Sequence, residues 1–209
     1  MQTLRAFFKL LRILRCVLLG YWRIKTEFPK LEPQAQARAV EEWSRDMLSI
    51  MGITVRLQGK PSDGPVLMAA NHISWLDILV MHAARHCRFI AKSEIRDWPL
   101  LGVLTAGGGS LFIERSSHRD AKRVVHLMAE ALSQGQVLGV FPEGGTGDGK
   151  TLLPFHGNLL QAAIEAQSLI QPVGLQFLEA DSGMKSFAPC YQAEDTLLGS
   201  VWRTLCAPP

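Results

Sequence analysis

The sequence contains few cysteines and no long uncharged apolar run, and each shortage excludes a class of protein. Its four cysteines, Cys16, Cys87, Cys190 and Cys206, are far apart and show no paired spacing. This pattern indicates neither a zinc site nor a disulfide framework, so we expect reduced thiols in a cytosol-facing protein. No secretory signal peptide is recognisable, because charges interrupt the one candidate apolar region and no cleavage site follows.

A membrane-spanning segment is missing from the same N-terminal region. Such a helix needs about 20 largely uncharged apolar residues, whereas charges interrupt residues 4–22 at intervals shorter than half that length. A basic stripe alternates there with an apolar side made of Leu4, Phe7, Phe8, Leu11, Leu14 and Leu18. The pattern predicts an amphipathic helix on an anionic membrane surface, with packing against the domain as the alternative. No basic patch with interleaved aromatic residues recurs later, which argues against a nucleic-acid partner.

The length and composition fit one domain with an appended N-terminal element. The chain has 209 residues, of which 47% are hydrophobic and 20% charged, enough for a large core. The net charge is only +3, but residues 1–30 hold seven cations and one acid. We therefore predict a membrane-associating helix and linker over 1–32, followed by a folded domain over 33–209. The charge asymmetry favours an anionic partner for the first segment.

Beyond residue 33 the sequence alternates between strand and helix patterns, without internal repeats. This alternation predicts an α/β fold with a mixed, largely parallel sheet flanked by helices and preceded by two N-terminal helices. Predicted helices cover residues 4–22, 34–51, 78–84, 98–104, 119–132 and 156–167, and predicted strands cover 53–58, 65–70, 88–91, 110–113, 137–141 and 170–177.

A polar stretch, residues 71–77, lies between a predicted buried strand and a helix. In an open α/β fold such a position lies at the carboxyl edge of the sheet, where ligands bind. The spacing lets the carboxylate of Asp77 hold one imidazole nitrogen of His72 and leaves the other to accept a proton. The alternative is a structural histidine beside an acid favoured by the helix dipole.

Two further polar stretches follow predicted strands. Residues 114–117 contain Arg115, which suits bidentate binding of a phosphate, although a surface ion pair is the commoner use. Residues 141–147 are glycine-rich and can present N–H groups to an anion. The spacing from Gly144 to Lys150 and Thr151 also fits a nucleotide-binding P-loop. Pro154 argues against it, because Lys150 and Thr151 would have to open a helix that the proline disrupts.

Together these stretches resemble the conserved blocks of the glycerolipid acyltransferase family, which includes lysophosphatidic acid acyltransferase. Four similar blocks occur in the expected order between about residues 50 and 178: an NHxxxxD motif at 71–77, a second block at 91–95 with Pro99, Gly102 and 111–115, an FPEG block at 141–144 followed by 152–155, and a block around Pro172 at 171–173.

The resemblance implies acyl transfer from acyl-CoA or acyl-carrier protein to the hydroxyl of a lysophospholipid, without a metal or cofactor. It makes His72 the general base and Asp77 its orienting carboxylate. It also implies an enzyme on the cytoplasmic face of the inner membrane, monotopic or peripheral, that makes phosphatidic acid for phospholipid biosynthesis. The residues that it implies for binding the polar head of the acceptor are Arg115, Glu143, Gly144, Lys92, Asn71 and Thr146.

Two departures from the family pattern bear on the substrate. Many relatives continue the FPEG block with Thr-Arg-Ser, whereas residues 145–147 here are Gly-Thr-Gly. One cation fewer makes lyso-ornithine lipid, or another lysolipid, the alternative acceptor. The sequence also ends earlier than is usual in relatives, so we expect a shortened C-terminal part. A non-catalytic member of the family that binds lipid is therefore a further alternative.

Overall fold

The computed structural model describes residues 2–114, 118–192 and 194–207. Its helices and strands are α1 (Gln2–Thr26), α2 (Pro33–Met51), β1 (Val66–Ala70), α3 (Leu76–Ala84), β2 (Arg88–Lys92), α4 (Leu101–Gly107), β3 (Leu111–Ile113), α5 (His118–Ser133), β4 (Val137–Val140), α6 (Gln161–Glu165), β5 (Leu169–Val173) and α7 (Leu197–Cys206). Short 3₁₀ helices cover Phe28–Lys30, Ser93–Asp97 and Gly157–Leu159.

The five strands form one sheet in the order β3-β2-β4-β1-β5, and every pairing between them is parallel. The α/β prediction is confirmed, but the expected mixture of strand directions is wrong, since the described sheet is wholly parallel. Parallel strands place all their carboxyl ends at one edge. The segments after β1, β2 and β4 therefore begin at that edge, and they belong to the stretches that the sequence analysis singled out; of the stretch after β3, only Glu114 is among the described residues.

Side chains of β1 alternate between two apolar layers, as a strand covered on both faces requires. Leu67 points to a cluster formed with α5 and α6, which also takes in Leu138 of β4. Val66 and Met68 point to the other face, where they pack with Met81 of α3. Burial on both faces explains why β1 reads as a continuous apolar run.

Three predicted elements differ most from the structure. Residues 53–58 form no strand; Ile53 and Val55 instead pack against the helices, so that contact accounts for their alternation. In place of the helix predicted over 156–167, the structure has a 3₁₀ turn at Gly157–Leu159 and the short helix α6 at Gln161–Glu165. Gln167, which follows α6, has a positive φ of 49°. The strand predicted to reach residue 177 ends at Val173, because the side chain of Asn71 occupies the backbone groups of Leu175.

Helix α1 lies against α2, α4 and α7 through a face of small and apolar residues that includes Ala6, Leu10, Ile13 and Val17. At Gly20 an added Cβ would lie 2.7 Å from Nε1 of the Trp43 indole, so glycine permits the close approach. None of the helices in the described part of the chain combines the length and apolar character needed to cross a membrane.

A second face of α1 is uncovered. The six residues of its predicted apolar side are between 48% and 62% exposed: Leu4, Phe7, Phe8, Leu11, Leu14 and Leu18. Of the predicted basic stripe, Lys9 donates to the carbonyl of Met51 at 2.8 Å, whereas Arg5, Arg12 and Arg15 are exposed. The helix therefore packs on the domain with one face and presents Leu and Phe side chains with another.

Candidate active site

The side chains of His72 and Asp77 meet in the loop between β1 and α3. Nδ1 of His72 lies 2.8 Å from Oδ2 of Asp77. The same oxygen accepts the backbone N–H groups of Ile73 and Ser74 at 2.6 and 2.8 Å. Asp77 is in the first turn of α3, so a helix and its own preceding loop fix the carboxylate. Its side chain is fully buried, whereas that of His72 is 17% exposed.

This contact determines how the imidazole presents its nitrogens. An ionised carboxylate can only accept hydrogen bonds, so the proton of a neutral His72 belongs on Nδ1. Nε2 then carries the lone pair and can accept a proton from a hydroxyl. The pair spaced five residues apart thus has the geometry of a general base with an orienting acid.

The FPEG loop is tied to the same site through Glu143. Its Oε1 accepts the backbone N–H of His72, and its Oε2 accepts that of Leu153, both at 2.7 Å. The carbonyl of His72 in turn accepts the N–H of Gly147 at 2.8 Å. Glu143 is only 6% exposed and lies 71 residues from His72 in sequence. Both of its oxygens are thus engaged in joining two loops.

Asn71 and Gly144 also have local structural contacts. The side chain of Asn71 donates to the carbonyl of Leu175 at 3.0 Å and accepts its N–H at 2.6 Å, as a paired strand residue would. Gly144 has a φ of +74°, and a Cβ there would lie 2.9 Å from the ring of His156. Thr146 is half-buried in the same loop. The contacts of Asn71 and Gly144 contribute to the conformation of the loops next to His72.

Of the two cations that were expected at the site, Lys92 and Arg115, the structure describes only Lys92. Lys92 ends β2 at the carboxyl edge of the sheet and is exposed. Because β4 lies between β2 and β1, Lys92 is about 10 Å to the side of the β1 end. Arg115 lies outside the described residues, and Glu114 before it is exposed.

The sequence analysis missed the segment after β5, which lies against the 71–77 loop. The N–H of Tyr191 donates to the carbonyl of Ile73 at 3.1 Å, and Nε1 of Trp75 donates to Oγ of Ser200 at 3.1 Å. Arg203 anchors this segment by binding Asp195 at 2.8 Å and the carbonyl of Cys190. No sequence signal marks contacts between residues more than a hundred positions apart, such as Trp75 and Ser200.

The structure contradicts the P-loop alternative, which requires a helix that begins at Lys150 and Thr151. No helix begins at Lys150 or Thr151; the chain continues irregularly to the 3₁₀ turn at residue 157. The ammonium of Lys150 lies 5.3 Å from the ring centroid of Phe187. In the part of the chain that the structure describes, no three His, Cys, Asp or Glu residues are grouped so as to hold a metal ion.

The chain thus combines a wholly parallel α/β sheet with a His-Asp pair at its carboxyl edge, in which the carboxylate is buried and the imidazole is partly exposed. The sequence profile of the family described as Acyltransferase matches residues 52–176, more than half of the chain. This chain therefore belongs to the acyltransferase family, and it is an enzyme of that class.

Individual relatives carry two different names. A 1-acyl-sn-glycerol-3-phosphate acyltransferase of Neisseria meningitidis is 38% identical over 173 residues, which are 82% of this chain and 67% of the relative. A lyso-ornithine lipid O-acyltransferase of Pseudomonas aeruginosa is 34% identical over 211 residues, with 98% of this chain and 81% of the relative covered.

A solved structure supports the fold. The 1-acyl-sn-glycerophosphate acyltransferase PlsC of Thermotoga maritima superimposes with a TM-score of 0.64, covering 81% of this chain and 70% of its own. At 22% identity this likeness concerns the fold alone. The expected family is confirmed.

Proposed function

We propose that the protein transfers a fatty acyl group from acyl-CoA or acyl-carrier protein to the sn-2 hydroxyl of 1-acyl-sn-glycerol-3-phosphate, giving phosphatidic acid. The observation that carries the proposal is the 2.8 Å contact between His72 Nδ1 and the buried Asp77 carboxylate, which leaves Nε2 as a proton acceptor. The name and similarity of the Neisseria relative support the choice of acceptor.

In the proposed reaction, Nε2 of His72 removes the proton of the acceptor hydroxyl while its oxygen attacks the thioester carbonyl. The tetrahedral intermediate then collapses, the carbon–sulfur bond breaks, and the thiolate takes the proton from the imidazolium. Asp77 stabilises the positive charge that His72 carries between these two steps. No acyl-enzyme forms, because the hydroxyl of the acceptor is itself the nucleophile.

We divide the candidate binding residues by the contacts of their polar atoms. Glu143 and Asn71 use their side chains on backbone groups, so we assign them, with Gly144, to shaping the loops around His72. Lys92 and Thr146 remain candidates for the polar head of the acceptor. Arg115, as a guanidinium close after β3, is the proposed phosphate ligand.

A lyso-ornithine lipid is the second candidate acceptor. Residues 145–147 supply no cation beside the FPEG block. In addition, the Pseudomonas relative of that name matches nearly the whole of this chain. The mechanism would be the same for both acceptors, since each offers a free hydroxyl to the same base.

We further propose that residues 1–32 attach the enzyme to the anionic, cytoplasmic surface of the inner membrane as a monotopic or peripheral protein. The exposed Leu and Phe side chains of α1, beside exposed Arg5, Arg12 and Arg15, support this assignment. Such a helix lies in the interface with its apolar face in the acyl boundary and its cations among head groups. A lipid acceptor would reach the site from the same surface.

The test is release of free thiol from acyl-CoA by the protein reconstituted with anionic vesicles. Release should depend on 1-acyl-sn-glycerol-3-phosphate and should fall about 10²- to 10⁴-fold in His72→Ala. His126→Ala is the matched control, because His126 is exposed on α5. Release with lyso-ornithine lipid only would change the acceptor and keep the mechanism. No release with any acceptor, together with lipid binding, would instead indicate a non-catalytic relative.

A further inference from the structure

The imidazole of His72 has an aromatic ring against its face. The ring centroids of His72 and Phe141 are 3.8 Å apart, and their planes differ by 9°. Phe141 directly follows β4, whose last residue Val140 pairs with Ala69 of β1. The sheet register therefore brings Phe141 beside the loop that carries His72.

A second ring supports Phe141 from behind. Phe89 of β2 stacks on it with centroids 5.4 Å apart and planes within 10°. Phe89 pairs in register with Gly139, where an added Cβ would lie 2.8 Å from its ring. Glycine at this position thus leaves room for the Phe89 ring, which is 5% exposed. Phe141 is consequently held between a buried ring and the imidazole.

We propose that Phe141 is a positioning residue for the base, an inference that rests on the proposed function of His72. The bond to Asp77 fixes where Nδ1 lies, but one hydrogen bond leaves the ring free to swing about the line joining Nδ1 and Oδ2. A parallel aromatic face restricts that swing, since tilting the imidazole would drive it into Phe141. Together the carboxylate and the ring define both the position of the imidazole and its plane.

The plane matters because it sets the direction of Nε2. A hydroxyl hydrogen bond is directional, and the acceptor must at the same time reach the thioester carbonyl. The ring face also favours a cation above it, so it stabilises the imidazolium that forms during the reaction. Phe141 touches neither substrate in this proposal; it acts through His72.

Kinetics of three variants test the proposal. Phe141→Leu keeps an apolar side chain but removes the flat face, and it should lower kcat about ten- to a hundredfold through misorientation of the base. KM should change by no more than about twofold, because binding is not affected. Phe141→Tyr retains the ring and should restore most of kcat. Phe89→Leu is the comparison variant: it removes the ring behind Phe141 but leaves Phe141 itself against His72, so kcat should fall less than in Phe141→Leu, by no more than about threefold.

A signal independent of activity separates this proposal from the function itself. In the protein without substrates, the ring protons of His72 lie over Phe141, so their NMR resonances should be shifted upfield by the ring current. His72→Gln identifies these resonances, Phe141→Leu should abolish the shift, and Phe141→Tyr should retain it. An unshifted His72 signal would overturn the stacking whether or not the protein transfers acyl groups.

Two kinetic results would also overturn the proposal. Full kcat in Phe141→Leu would mean that the carboxylate alone orients the base. An equal fall of kcat in Phe89→Leu and Phe141→Leu would trace the effect to packing of the cluster rather than to the contact with His72. Loss of thiol release in His72→Ala, with an intact upfield signal in the wild type, is the combination that we expect.

Discussion

Replacing Asp77 by asparagine tests the central contact of the site with almost no change of shape. The Asp77 oxygen that meets His72 also accepts two backbone N–H groups, from Ile73 and Ser74. An amide oxygen can take the place of Oδ2, so the loop should keep its conformation; the amide N–H₂ then takes the place of Oδ1, which is buried and has no hydrogen-bond partner among the described residues, so some loss of stability is expected. The variant also removes the negative charge that, in the proposed reaction, faces the imidazolium of His72.

The size of the loss follows from Coulomb's law. The two atoms are 2.8 Å apart, and the delocalised charges of the two groups are centred about 4 Å apart. At an effective dielectric constant of about 20 that distance corresponds to about 4 kcal/mol. If the transition state carries this interaction and the neutral ground state does not, Asp77→Asn should lower kcat about a thousandfold. KM should remain near its wild-type value.

The assay is thiol release from acyl-CoA at saturating acceptor, with the unfolding midpoint measured in parallel. Asp148→Asn is the control, because Asp148 likewise accepts two backbone N–H groups, from Lys150 and Thr151, but does not contact His72. It should keep nearly full kcat. If Asp77→Asn retained more than about a tenth of kcat while folding normally, the charge of Asp77 would not stabilise the reacting imidazole.

Three further outcomes are expected. In Glu143→Gln the amide nitrogen cannot accept a hydrogen bond, so the backbone N–H of either His72 or Leu153 loses its acceptor. The free energy of unfolding should fall by about 1–3 kcal/mol in urea unfolding, and kcat for thiol release should fall as well. Burial and, to a lesser extent, the nearby His86 lower the pKa of His82 to about 3. His82 therefore takes up a proton near pH 6.5 in the unfolded chain but not in the folded chain, so the free energy of unfolding should fall by up to about 1.4 kcal/mol per pH unit below that value. His82→Leu should reduce this pH dependence, as measured by urea unfolding at about pH 7 and about pH 5. Phe7→Ser with Phe8→Ser should weaken co-sedimentation with anionic vesicles while leaving the unfolding midpoint nearly unchanged, since both rings are about half exposed; unaltered vesicle binding would contradict the membrane assignment of α1.

The His72-Asp77 contact was within reach of the sequence because it is local. Both residues belong to one strand-to-helix connection, and a carboxylate in the first turn of a helix is near the loop that precedes it. The alternation of strand and helix patterns likewise predicts an α/β sheet, since successive strands separated by helices pack most readily as a parallel sheet covered by those helices. The exposed apolar side of α1 could be predicted for the same reason: periodicity along one helix is a local property.

The remaining expectations depended on which segments lie next to one another. The sequence predicted Glu143 as a residue for the acceptor but gave no sign that its oxygens accept the N–H groups of His72 and Leu153 and so join two loops. The alternating residues 53–58 read as a strand, yet Ile53 and Val55 are covered by helices. The hydrophobic pattern of a segment indicates that one of its faces is apolar, but it does not indicate whether a sheet or a helix covers that face.

The sequence by itself determined the class of fold, the contact between His72 and Asp77, and the apolar and basic sides of α1. Each of these is set by residues close together in the chain, whose spacing follows the periods of helix and strand. Only the tertiary structure decided that the sheet is wholly parallel, that Phe141 stacks on His72, and that the segment after β5 closes on the loop through Trp75 and Ser200. The contacts of Phe141 with His72 and of Trp75 with Ser200 join residues 69 and 125 positions apart. They exist because packing of the whole core fixes the register and the neighbours of each strand.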